Sequence, residues 1–467
     1  MKEKKLFDAI THVEDKLVEE AKNTKLKRGW RVWQKWTAAA ACMVLIIGAA
    51  FAIPHDASKL GGIISNYSNK PCEAILDVVF PKAYGMDDYD TWRETIDNNP
   101  VDHTFLEGVE DFSYKTASKI LTGSTENTNY SPLSLYYALA LAASGTNGET
   151  EAELLSLLGV ADKSTLSTQC GNLYRRLYTD NEIGKLKIAN SLWMNKEIKW
   201  KDGFIKNAAD NFYASSFSAD FSDHKTGEAM AKWVSDNTNG KLTPSMAVTP
   251  EQIFSIINTV YFYDEWTDTF SEKHTAKDVF HLADGTDVNC DFMNNTCSMS
   301  SSTKGDGFTR ASLGLKNNGR MVFILPDEGI SLRELLSTPE QMKTIFEAGE
   351  ENSAKVIWQI PKFSFGSKLD IVETLKSLGV NSAFSSNADF SGITNQTAFI
   401  NKIHQETYIG INEKGVEAAA YTEIAYAGGM EPETETKMIL NRPFIYGITD
   451  SYGTLLFTGV CENPAAK

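Results

Sequence analysis

From Gly415 to Glu431 the sequence carries no proline, so every backbone N–H of that stretch can enter a β ladder. Read with a period of two, it has two distinct faces. Val416, Ala418, Ala420, Thr422, Ile424, Tyr426 and Gly428 fall on one, all small or apolar. Glu417, Ala419, Tyr421, Glu423, Ala425 and Ala427 fall on the other, which holds both carboxylates. Glu417 to Ala420 are also good helix formers, so propensity alone leaves a helix open. A stretch able to be loop, helix or central strand is what a conformational switch requires.

The first 60 residues are a different material. Leu6, Phe7, Ile10, Val13, Leu17 and Val18 share one face at helical spacing. Then comes a basic cluster (Lys22, Lys25, Lys27, Arg28, Arg31, Lys35), interleaved with Trp30, Trp33 and Trp36. Thr37 to Ile53 carries no charge, and Pro54 ends it. Counted with Trp36, this run is about 27 Å long as a helix, at the short end of what crosses a bilayer. Its tryptophans suit a membrane interface, and the positive residues all precede it, which keeps residues 1–35 cytoplasmic and sends the rest outside. The expectation is a signal-anchor over 36–53 with a single-pass, extracytoplasmic body. Ala50-Phe51-Ala52 leaves cleavage near Ala52 and secretion as the alternative, although the polar region before the apolar core is long for a signal peptide. Residues 54–100, polar, acidic and turn-rich, read as a linker.

From Val101 onward the pattern is one mixed α/β body without a βαβ repeat, an α+β class. Leu133–Ala143 and Glu149–Leu158 read as helices. Ile253–Tyr263, Met321–Leu325, Val356–Ile360, Lys362–Phe365, Pro443–Ile448 and Leu455–Val460 read as strands. Acidic residues number 61 against 45 basic, a net charge of −16, so the chain lacks the footprint for nucleic acid. Six scattered cysteines make no disulfide scaffold, with Cys290–Cys297 the one pairing left open. His274, His281, Cys290 and Cys297 lack the close spacing of closed zinc sites, so neither metal nor cofactor is expected. No G-x-S-x-G, Walker A, G-x-G-x-x-G, EF-hand or H-E-x-x-H pattern occurs, and nothing argues for an enzyme.

The segment Glu413-Lys414-Gly415-Val416-Glu417-Ala418-Ala419-Ala420-Tyr421-Thr422 resembles the hinge of the serpins: Glu, basic, Gly, Thr or Ser, Glu, then alanine-like residues. Other blocks are similar to that family in the same order. They include Asn127-x3-Ser131-Pro132-Leu133-Ser134, then Asn258-Thr-Val-Tyr-Phe262 with Trp266 and Phe270. Ile324-Leu325-Pro326, Pro361-Lys362-Phe363, Leu378-Gly379-Val380, Ala388-Asp389-Phe390, Asn441-Arg442-Pro443-Phe444 and Leu456-Phe457-Thr458-Gly459 complete the series. The resemblance covers residues 101–464 and looks like a bacterial serine protease inhibitor with an added N-terminal anchor. It implies a large central mixed β-sheet with further sheets, eight or nine packed helices and an exposed reactive-centre loop, here with one N-terminal transmembrane helix. It also implies a monomer that a serine protease attacks as substrate. The cleaved loop then enters the central sheet and traps the acyl-enzyme.

Departures carry expectations too. Val416 stands where the family prefers Thr or Ser. Serpins resemble one another in a serine, asparagine and histidine cluster where the sheet opens. Ser131 and Ser134 match the serines, Ala231 falls at the expected asparagine and Gln405 at the histidine. Family spacing puts the scissile bond at Gly429–Met430. A loop a few residues longer than usual leaves Tyr426, Ala427 and Glu431 as alternative positions. No basic residue lies between Lys414 and Lys437, so the resemblance implies a chymotrypsin-, subtilisin- or elastase-like target with apolar or small primary specificity. A non-inhibitory binding or scaffolding protein at the cell surface is the competing reading.

Overall fold

In a computed structural model, the described strands form two sheets, and the first of them positions the loop hinge. The structure describes residues 71–85, 88–317, 319–349, 352–416 and 435–466. These belong to one compact unit, Ser68–Lys467. The signal-anchor and basic segment expected over 1–53 lie outside the described residues. Among the described residues no helix is long and apolar enough to cross a membrane.

The first sheet contains β1 (Cys72–Leu76), β2 (Gly184–Asn195), β3 (Ala214–Ala219), β4 (Phe254–Glu265), β5 (Phe363–Asp370), β6 (His404–Asn412) and β7 (Gly415–Val416). Their spatial order is β1-β3-β2-β4-β7-β6-β5. β2 and β3 run parallel and the other neighbours antiparallel, so the sheet is mixed, as expected. The second sheet has nine strands, among them Asn352–Pro361, Asp287–Lys304, Arg320–Pro326, Phe444–Thr449 and Leu455–Cys461. The apolar runs of the sequence fall within these strands, bounded by the turns that the glycines and aspartates predicted.

Three helices bear on the first sheet and its surroundings: α1 (Tyr89–Asn98), α2 (Pro132–Ala143) and α3 (Lys225–Asn237). α2 is apolar nearly all round and almost wholly buried, as a helix between layers must be. Ser131 caps its N-terminus, accepting from the Ser134 backbone N–H at 3.3 Å, and Pro132 occupies the first turn, where no N–H is needed. α3 lies over the first sheet, where Met230 packs with Trp193, Ala219 and Phe221.

Three expectations need correction. Ten α-helices occur among the described residues, slightly more than the eight or nine that the resemblance implied, the count including the four-residue Leu332–Leu335. The linker expected over 54–100 is, from Pro71 on, part of the body. β1 pairs with β3 at the sheet edge, and Asn99 accepts from Arg175 Nε at 2.5 Å. Its shortness and largely exposed side chains hid it, since an edge strand has little to bury. Finally, Cys290 and Cys297 are free thiols. Both sit on the strand Asp287–Lys304, and seven residues of extended chain separate them by about 23 Å, far beyond disulfide reach.

Candidate functional site: a strand gap and its hinge

β6 turns through Glu413 and Lys414 into β7, which comes back between β6 and β4. Ile411 faces Val416 and Asn412 faces Gly415 on one side; Gly415 faces Glu265 and Val416 faces Asp264 on the other. Below those two residues no ladder pair joins β4 to β6 among the described residues. What remains is a narrow crevice of about 20 Å³, floored by Ile448 and Phe457 and capped by Val416, which is 3% exposed.

The hinge is held firmly. Trp266, fully buried, donates from its indole Nε1 to the Asn412 carbonyl and from its backbone N–H to the Lys414 carbonyl, both at 2.9 Å. The Phe270 N–H reaches the Glu413 carbonyl at 2.8 Å. The Glu413 side chain is buried, accepts from Thr275 at 2.8 Å and pairs with Lys362 at 3.0 Å. Burial pushes its carboxyl up, but hydrogen bonds from its own backbone N–H, Thr275 and Lys362 outweigh that and hold it below the usual range. The anchoring contributed by this carboxylate is thus present at neutral pH and lost on acidification.

Gly415 is required by contact rather than by dihedral freedom. A Cβ there would sit 2.2 Å from the Asp264 carbonyl oxygen and 2.8 Å from Glu265 Cα, backbone atoms that cannot step aside. Gly415→Ala is expected to push β7 out of the gap. The check is hydrogen exchange at the Val416 amide, which should speed up by about tenfold or more, the equivalent of one lost ladder bond.

Lower in the gap, the N-terminus of α2 holds both flanking strands. Ser134 Oγ donates to Asn258 Oδ1 on β4, and Asn258 Nδ2 donates to Asn190 Oδ1 on β2 at 2.7 Å. Gln405 on β6 accepts from the Ser131 N–H and donates to the Ser131 carbonyl, each at 2.9 Å, while Ser131 Oγ donates to the Leu456 carbonyl at 2.7 Å. The structure thus brings Ser131, Ser134 and Gln405 together. It does not bring Ala231, which lies on α3; the asparagine of the cluster is Asn258. The signal was available, the single asparagine of β4, set in the run Ile256–Tyr263. Gln405 supplies both hydrogen bonds with an amide that does not titrate, so this latch carries no charge change of its own. On the outer side, Asn239 reaches the Tyr261 hydroxyl at 3.2 Å and the Lys241 ammonium lies 5.2 Å from the Tyr408 ring centre, bridging the gap from β4 to β6. Sequence reasoning missed this strap.

Glu417 to Thr422, Tyr426, Ala427, Gly429, Met430 and Glu431 lie outside the described residues. Among the described residues no group of three or more histidine, cysteine or acidic side chains gathers as a metal site would require.

The profile described as Serpin (serine protease inhibitor) matches residues 107–464. The chain belongs to the serpin family. Members of that family are typically protease inhibitors, not enzymes. Among curated relatives, serpin B11 of Mus musculus is 28% identical over 73% of this chain and 94% of its own length. Serpin-ZX of Arabidopsis thaliana is 28% identical over 75% and 96%. Among solved structures, the native state of the thermophilic serpin tengpin overlays with a TM-score of 0.72 at 26% identity, covering 84% of this chain and all of that one. Serpin48 of the insect Tenebrio molitor gives 0.70 at 27% identity, over 78% and 98%.

Proposed function

We propose that this serpin inhibits serine proteases by offering residues 417–434 as substrate and then inserting the cleaved loop into the gap between β4 and β6. The observation that carries the reading is the seating of Gly415 and Val416 at the top of that gap. The existing register, extended downward, pairs residues whose numbers sum to 680 across β4 (416 + 264) and to 827 across β6 (416 + 411). Ala418 would then stand level with Phe262 and Ile409, and Ala420 with Val260 and Thr407. These inward positions meet an apolar floor, where small side chains avoid overpacking costs of about 1–3 kcal/mol. Thr422 would arrive level with Asn258 and Gln405, the one polar stretch of the floor, so the polarity of the loop matches that of the gap. Ile424 and Tyr426 would meet Ile256 and Phe254.

The reactive bond in this reading is Gly429–Met430, with Tyr426, Ala427 and Glu431 as neighbouring candidates. The target is a chymotrypsin-, subtilisin- or elastase-like protease, and the inhibitor acts as a monomer. The uncharged run over 36–53 supports an anchor that places the body outside the membrane. The test is incubation of the chain with those three proteases, then a denaturing gel and mass spectrometry. An adduct that survives denaturation, with a released peptide beginning between Ala427 and Pro432, is the expected result. Clean cleavage with no adduct and undiminished protease activity would support the non-inhibitory alternative.

A further inference from the structure

A second cavity, of about 330 Å³, lies between residues 84–92 of the body and the upper end of the first sheet. Tyr84, Tyr89 and Trp92 wall it on one side, with Tyr263 and Tyr452 among the residues lining the remainder. That volume suits a small organic molecule. Three cationic and two acidic side chains line it: Arg176, Lys185, Lys316, Asp264 and Asp450. Lys316 is neutralised by Glu265 at 2.7 Å, and both side chains are largely buried; Lys185 is neutralised by Asp180 at 2.7 Å. Arg176, 4.4 Å from the Tyr452 ring centre, is the one remaining cation of the lining and acts on Asp450, against the two carboxylates Asp264 and Asp450. With both of them ionised, the wall carries one uncompensated negative charge.

The two carboxylates are not equivalent. Asp264 is satisfied by the Asn317 side chain at 3.0 Å, the Asn317 N–H at 3.2 Å and the Glu265 N–H at 2.9 Å. Asp450 is 9% exposed; its Oδ1 accepts from the Tyr452 and Thr454 N–H groups at 2.9 and 2.7 Å, while its Oδ2 is buried without a hydrogen-bond partner. Burial pushes Asp450 up to about 6 and Asp264 up to about 7. A buried carboxylate oxygen without a donor is costly, and a cation near aromatic faces is the partner that removes the cost.

We propose that this cavity binds a small arylalkylamine, its ammonium directed to Asp450 and its ring held by Tyr84, Tyr89 and Trp92. Binding favours the ionised carboxylates, so affinity rises with pH through the range in which Asp450 and Asp264 lose their protons.

Tyramine titrated into the full-length chain, monitored by calorimetry and tryptophan fluorescence, tests this. Saturable binding is expected, about tenfold tighter at pH 8 than at pH 5.5, and weakened about tenfold or more in Asp450→Asn. That variant keeps the Oδ1 acceptor for the turn. Trp92→Ala, on the partly exposed α1, tests the aromatic wall without touching the turn, and a loss of about fivefold or more is expected. Absence of tyramine binding, equal affinity in Asp450→Asn, or equal binding of the neutral tyrosol or the anionic 4-hydroxyphenylacetate would overturn the proposal.

Discussion

Ala420→Arg is expected to turn the inhibitor into a substrate: the loop is still cut, and the denaturation-resistant adduct disappears. By the register of β7, Ala420 enters level with Val260 and Thr407, facing the layer that contains Ile448 and Phe457. A guanidinium there is buried without a partner, at a cost of several kcal/mol. If about 3 kcal/mol of that is felt while the strand is entering, insertion slows about a hundredfold, and deacylation wins the competition. The informative control is Glu423→Arg, on the opposite face of the same strand, where a charge already stands. It should keep most of the adduct. Equal behaviour of the two variants on a denaturing gel would mean that the loop enters in another register or not at all.

How much of this was legible in the sequence depended on burial. The strands Arg320–Pro326, Phe444–Thr449 and Leu455–Cys461 are buried on both faces and stood out as apolar runs between turn residues. β1 did not stand out, because a five-residue edge strand with three exposed side chains looks like linker. The inward face from Val416 to Tyr426 was readable as a period of two, yet periodicity cannot say that Gly415 and Val416 are seated between β4 and β6. That depends on the balance between ladder bonds and the opening of β4 from β6. The misplaced asparagine has a similar cause. Position along the chain pointed to Ala231 on α3, whereas contact across 124 residues of sequence picks Asn258 for Ser134. The amine cavity draws its walls from α1, the start of β2, the end of β4 and the turn before Leu455, segments with no shared pattern in the chain.

Cleavage of the loop should raise the unfolding temperature of the body by about 10 °C or more, the largest change of stability expected from any single event here. In the extended register, residues 417–423 lie between 257–263 of β4 and 404–410 of β6. Seven residues of a central strand add about fourteen ladder hydrogen bonds at about 1 kcal/mol each, against about 1 kcal/mol per residue for ordering the chain. The balance is on the order of 7 kcal/mol before any burial of Ala418 and Ala420 is counted. Unfolding a body of about 400 residues changes the entropy by about 0.8 kcal/mol per kelvin, so that balance becomes roughly 9 °C, and burial adds to it. On the proposed mechanism the uncleaved chain does not collect this gain, because residues 417–434 join two strands of the body, β7 and Glu435–Ile439. Thermal melts of intact and cut chains, monitored by circular dichroism, measure the difference. Ala420→Arg, cut at the same bond, should melt close to the intact chain. If the native sequence also shows no rise after complete cleavage, the loop stays outside the sheet and the gap beneath Val416 has another purpose.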